Sequence, residues 1–183
     1  MGCRYYEDGK RPPVDAKKAG RWGDYECDVP HRTFRSMLEF IRDQNLKEEI
    51  VPKFITLTGD YGAHEVWAST FEQVYSYTVN MTNTFKEVLG TNIPVIPALG
   101  NHDLWPADDE DFTDAYNPII TSLKNVWYGD QWLSRAEMHK FMKYGYYSKP
   151  FPGSHKGKII VLNTNAGYQI NRFLAKDNFD PGH

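Results

Sequence analysis

The chain has 183 residues, 21 basic and 24 acidic side chains, and a net charge of −3 at pH 7. That length can bury the core of one domain, and 40% apolar with 25% charged residues excludes a wholly disordered polymer. It contains no run of 18 apolar residues for a membrane-spanning helix and no basic block for a nucleic-acid backbone, so no nucleic-acid polymer is expected as a partner.

Residues 1–30 read as an irregular arm, broken by Arg11-Pro12-Pro13, Gly20, Trp22-Gly23 and Pro30. No apolar h-region follows Met1, so no signal peptide is expected. Cys3 and Cys27 flank the arm. They are either two unrelated thiols or a disulfide that pins it, worth roughly 3–4 kcal/mol in the chain-entropy model. A disulfide would imply folding in an oxidising compartment, and the sequon Asn80-Met81-Thr82 points weakly the same way.

From about 31 to 48, Phe34, Met37, Leu38, Ile41 and Leu46 recur at helical spacing. Residues 54–58 form a short β-rich run, expected to be a buried strand, that ends at Gly59-Asp60. A second helix is expected over 67–89, with Gly90 ending it. A second strand over 94–99 ends at Gly100-Asn101-His102-Asp103. Helices near 116–127 and 134–143 precede strands over 145–148 and 158–163, and the chain from Asn165 onward reads as loop. This order implies an α/β layered sheet with flanking helices. Ligands of such folds bind beyond the carboxyl ends of strands, where both polar motifs fall.

A carboxylate directly after a strand stands on a stiff base, and one carboxylate can bridge two divalent cations. Asp60 fits that role; its plain alternative is a turn residue capping the next helix. Asn101 offers a neutral carbonyl oxygen, and His102 a ligand, base or acid near neutral pH. The alternative is a polar loop with a satisfied histidine. His64, four residues after Asp60, adds an imidazole at the same edge, or a structural one. Tyr61, Trp67 and Trp105 either stack on a ligand's base or lipid, or pack the core and rim.

Thr58-Gly59-Asp60 followed by Gly100-Asn101-His102-Asp103 resembles two signature blocks of the calcineurin-like metallophosphoesterases. Cys27-Asp28-Val29-Pro30, the run from Thr58 to Trp67 and the run from Pro97 to Pro106 are similar to the acid sphingomyelinase and sphingomyelinase-like phosphodiesterase family. Gly145-Tyr146-Tyr147-Ser148 and Leu162-Asn163-Thr164-Asn165 match later blocks, and Trp105-Pro106 and Asn163-Thr164-Asn165 favour the sphingomyelinase-like branch. The resemblance implies a two-zinc phosphodiesterase of the secretory or lysosomal system. Asp60 would bridge the zincs, Asn101 would bind one, His102 would be the general acid with His64 as helper, and Cys3 would pair with Cys27. Asn80 is the glycosylation candidate by its sequon alone.

The family's first Asp-x-His block lies upstream of the arm, and its later His-bearing blocks lie downstream of residue 183. The expectation is therefore a metallophosphoesterase sheet that lacks its first strand and C-terminal half, over 31–183 after the arm at 1–30. Its metal site would be incomplete, and its activity weak or absent in isolation. Losing the first strand would also leave a sheet edge open to aggregation. Asp180-Pro181-Gly182-His183 echoes a metal block but follows a loop, so His183 is read as no ligand. The implied substrates are small phosphodiesters, either nucleotides or lipid headgroups met at a membrane surface. The competing reading is a non-catalytic binding module that keeps the fold without its metals.

Overall fold

The computed structural model describes residue 3 and residues 8–48, 52–111, 117–129, 132–154 and 156–176. After an arm of turns, helix α1 (His31–Glu48) leads to strand β1 (Ile55–Leu57), helix α2 (Phe71–Leu89) and strand β2 (Val95–Pro97). Helices α3 (Pro118–Trp127) and α4 (Arg135–Tyr144) follow. Strands β3 (Tyr147–Pro150) and β4 (Lys158–Val161), a 3-10 turn (Thr164–Gly167) and a short α5 (Arg172–Lys176) complete the order. Cys3 and Cys27 are disulfide-bonded across the arm.

Strands β1 and β2 pair in parallel, with α2 as their crossover, and β3 and β4 form a separate antiparallel pair. The two pairs meet through a side chain rather than a ladder: the buried Tyr147 hydroxyl donates to the Pro97 carbonyl at 2.8 Å. Apolar faces of the helices make the core. Val74, Phe85 and Val88 of α2 join Leu123 and Trp127 of α3 and Phe141 of α4 in one buried cluster. Trp127 also donates through Nε1 to Thr82 Oγ1 at 3.1 Å, so its polar edge is satisfied inside the core.

Several boundaries differ from the sequence reading. Helix α2 begins at Phe71 rather than 67, because Thr70 and Gln73 close a reciprocal capping box. Strand β1 is only partly buried, with Thr56 exposed; it has one strand neighbour among the described residues. Met37 is 48% exposed although its spacing placed it on the apolar face; Leu38, fully buried, takes the inward position. The stretch after Asn163 is not all loop. Asn163 accepts from the Asn165 amide and Asn171 from the Phe173 amide, and these caps start the 3-10 turn and α5. Segments of four or five residues are too short for periodicity to reveal.

Leu38→Ala should therefore cost about 2–5 kcal/mol in urea unfolding. Met37→Ala should stay within about 0.5 kcal/mol of the parent, as an exposed substitution does.

Candidate active site

Parallel strands leave a sheet on the same side, so the turns that follow them meet. Leu57 lies opposite Pro97, and the Ala98 amide donates to the Leu57 carbonyl at 2.8 Å, continuing the ladder. Three residues beyond that register, Asp60 reaches Gly100. A Cβ at Gly100 would stand 2.1 Å from Asp60 Oδ1, and one at Gly59 would stand 2.1 Å from the Gly100 nitrogen. Only glycine permits this approach. Gly59 and Asp60 have φ of 97° and 58°, the left-handed region that glycine adopts freely and aspartate tolerates.

The two turns are tied by Asp103, which is 1% exposed. Its Oδ2 accepts from the Asp60 amide at 2.8 Å and the Gly100 amide at 2.7 Å, and its Oδ1 accepts from the Tyr61 amide at 2.7 Å. Burial pushes the carboxyl up to about 6, against the downward pull of those three amides. The His102 amide adds a further tie, donating to Asp60 Oδ1 at 3.2 Å.

The imidazoles of His64 and His102 meet edge to face with centroids 4.4 Å apart. The His64 amide donates to Asp28 Oδ2 at 3.0 Å, so the arm takes part in placing this loop. Asn101 is half-buried, and its Nδ2 donates to Asp108 Oδ1 at 3.2 Å. Asp60, His64 and His102 are thus gathered at one strand edge, with Asn101 in the adjoining turn. Asn80 lies apart, exposed on α2, and His183 lies outside the described residues. Tyr61 is a packing residue: its hydroxyl donates to the Ala98 carbonyl and its ring stands edge-on to Trp127. Trp105 is 43% exposed with Nε1 donating to the Ser69 carbonyl, and Trp67 is also exposed.

A small cavity behind Asn101 is lined by Asp108, Glu110, Asn165 and Asn171 among others. Glu110 is 3% exposed; its Oε1 accepts from Asn163 Nδ2 at 2.8 Å, and its Oε2 has no partner among the described residues. Burial pushes this carboxyl up to about 7, against the amides of Asn163 and Asn165. Asn165 Nδ2 donates to the Gly100 carbonyl at 3.2 Å, and Asn171 Nδ2 to the carbonyls of Glu110 and Asn165. The site reading in sequence missed the work of Asp28, Asp103, Asp108, Glu110 and these asparagines. Asp103 had a signal, closing the Gly-Asn-His-Asp string. Glu110 had none, since it sits in an acidic run that looks solvated.

The family model for calcineurin-like phosphoesterases matches residues 29–180. The chain belongs to the calcineurin-like phosphoesterase family. It is 32% identical over 173 residues to sphingomyelin phosphodiesterase B of Dictyostelium discoideum, covering 94% of this chain and 26% of that protein. It is 35% identical over 176 residues to acid sphingomyelinase-like phosphodiesterase 3b of Mus musculus, covering 95% of this chain and 36% of that one. To the cyclic GMP-AMP phosphodiesterase SMPDL3A of Bos taurus it is 33% identical over 171 residues, 93% of this chain and 36% of the relative. The chain therefore spans between about a quarter and about a third of the length of these curated relatives.

Membership of this phosphoesterase family implies use of a divalent metal. Two residues fit a share of such a site. Nothing donates to Asp60 Oδ2 or to Asn101 Oδ1 among the described residues, and both are hard oxygen donors suited to divalent cations. They do not make a whole centre, because no group of three His, Cys, Asp or Glu converges on one point among the described residues.

Two stability predictions follow from the buried acids. Asp103→Asn should cost about 1–3 kcal/mol in urea unfolding, because an amide NH2 would face a buried N–H donor. For Glu110, a folded value raised above 4.5 means that the native state holds the proton more tightly than the unfolded chain. Its contribution is complete below pH 4.5 and is lost as pH rises through about 7. Glu110→Gln should remove that loss: the unfolding free energy of the variant should gain on the parent's by about 3 kcal/mol between pH 4.5 and 8.

Proposed function

We propose that the chain forms part of the catalytic domain of a metal-dependent phosphoric diester hydrolase, with an arm over residues 1–30 and the catalytic portion over 31–183. The observation that carries this is the abutment of Asp60 on the turn from Gly100 to Asp103, with the paired rings of His64 and His102 beside it. Asp60 and Asn101 would supply oxygen ligands, Asp60 shared between two zinc ions. When bound, such ions supply the charge that polarises phosphoryl oxygens and lowers the pKa of water. His102 would hold the proton delivered to the leaving oxygen, and His64, edge-on to it, would orient the ring or substitute for it.

The substrate class is a small phosphodiester. The relatives' names divide between sphingomyelin and cyclic GMP-AMP, and a nucleotide diester is our preference here. The exposed faces of Trp67 and Trp105, each three residues beyond one of the histidines, would suit a base. A lipid headgroup would instead bring the chain to a membrane surface. The disulfide supports an oxidising, secretory or lysosomal setting. Asn80 is exposed, as a glycan would need, whereas Thr82 of the same sequon is buried against Trp127. Glycosylation would thus precede the packing of α2.

The second reading is a binding module of the same fold, distinguished from the first by whether the whole protein turns over a phosphodiester. The test is hydrolysis of bis(p-nitrophenyl) phosphate by the chain carried in a polypeptide of its relatives' length. His102→Ala should lower turnover about 10²–10⁴-fold at unchanged zinc content. Equal turnover would refute the acid role, and absence of hydrolysis in the parent would favour the binding module. The 183-residue chain alone should not take up two zinc ions tightly.

A further inference from the structure

We infer that Asp108 is a positioning residue that fixes which end of the Asn101 amide faces the site, an inference that rests on the reading of Asn101 as an oxygen ligand. An asparagine amide is nearly symmetric in shape, and its two ends differ only in donating or accepting. A site that needs the oxygen must hold the NH2 elsewhere. Asp108 does this by chemistry: an ionised carboxylate only accepts, so the end of Asn101 that meets Asp108 Oδ1 at 3.2 Å must be Nδ2. The opposite end, Oδ1, accepts nothing among the described residues and remains open as an acceptor.

Asp108 is itself built into a stiff place. Its φ is 56°, in the left-handed region that non-glycine residues enter at a cost, and such strain gathers where function requires a side chain at a set point. Its carbonyl is held by the Arg172 amide at 2.7 Å, which anchors the turn to the start of α5. Asn165, which lines the cavity beside it, holds the turn that carries Asn101 through the Gly100 carbonyl. The arrangement is an outer support of the kind that orients metal ligands generally.

The backbone supplies a clean variant. Asparagine and glycine both tolerate a left-handed φ, so Asp108→Asn and Asp108→Gly leave the turn in place. Asparagine at 108 can donate as well as accept, so it no longer dictates the orientation; glycine removes the partner. The measurement is the side-chain carboxamide NMR signal of Asn101 in the 15N-labelled, metal-free chain, assigned by its loss in Asn101→Ala. In the parent it should be one pair of NH2 resonances with slowed hydrogen exchange. Asp108→Asn should give two sets or averaged signals, and Asp108→Gly should give exchange at least about tenfold faster, the scale of one lost hydrogen bond of about 1.4 kcal/mol. The backbone amide spectrum away from the turn should be unchanged in both. An Asn101 signal the same in the parent and in both variants would overturn the assignment. Because the orientation is read without metal, that result would leave the ligand reading standing, and loss of the ligand reading in the hydrolysis test would leave this result standing.

Discussion

One buried carboxylate holds the candidate site together. Without Asp103, the two turns that follow β1 and β2 would present the amides of Asp60, Tyr61 and Gly100 to an interior with nothing to accept them. With it, three donors from two turns share two oxygens, each within 2.8 Å. Charge-assisted bonds of this kind are worth about 1.5–3 kcal/mol each, and they work against the burial that raises the carboxyl. The position of Asp60 is therefore set by a residue 43 places later in sequence. Asp103 also closes its own turn, its amide donating to the Gly100 carbonyl at 3.3 Å.

That tie works because the strands beneath it are already aligned. Parallel pairing of β1 with β2 requires a crossover, and α2 provides one whose inner face is locked to α3 through Trp127 and Thr82. From the other side, Tyr147 reaches the Pro97 carbonyl and Asn165 reaches the Gly100 carbonyl. The end of β2 and its turn are thus gripped from the core below, from β3 beside it and from the 3-10 turn behind. The glycines at 59 and 100 convert this alignment into contact, since any side chain there would force the turns apart.

Sequence made some of this plain and hid the rest for physical reasons. Asp60, Asn101, His102 and His64 stood out because their chemistry falls at strand ends, and strand ends are visible as short β-rich runs stopped by glycine. Helices of ten residues or more were visible from spacing. What spacing could not show was the three-dimensional use of ordinary polar residues. Asp103 looks like one more polar loop residue until its partners across the turn are known. Glu110 lies in a run of acids that reads as solvent-facing, yet it is buried against Asn163. The caps at Thr70, Asn163 and Asn171 moved element boundaries by satisfying terminal amides locally, an effect that hydrophobic periodicity does not register. Met37 and Leu38 show the limit within a helix: Leu38 is buried and Met37 is 48% exposed, and pattern alone did not choose between them.

The two oxygen-bearing residues are constrained in the same economical way. Asp60 accepts from the His102 amide with Oδ1, and Asn101 gives Nδ2 to Asp108; among the described residues nothing donates to Asp60 Oδ2 or Asn101 Oδ1. For Asn101 the holding contact uses the amide nitrogen, which a hard cation does not need. The backbone adopts left-handed angles at Asp60 and Asp108 in the two turns that carry these contacts. Asp60 abuts the turn that carries His102, whose ring is paired with His64, and the proposed hydrolysis rests on that arrangement.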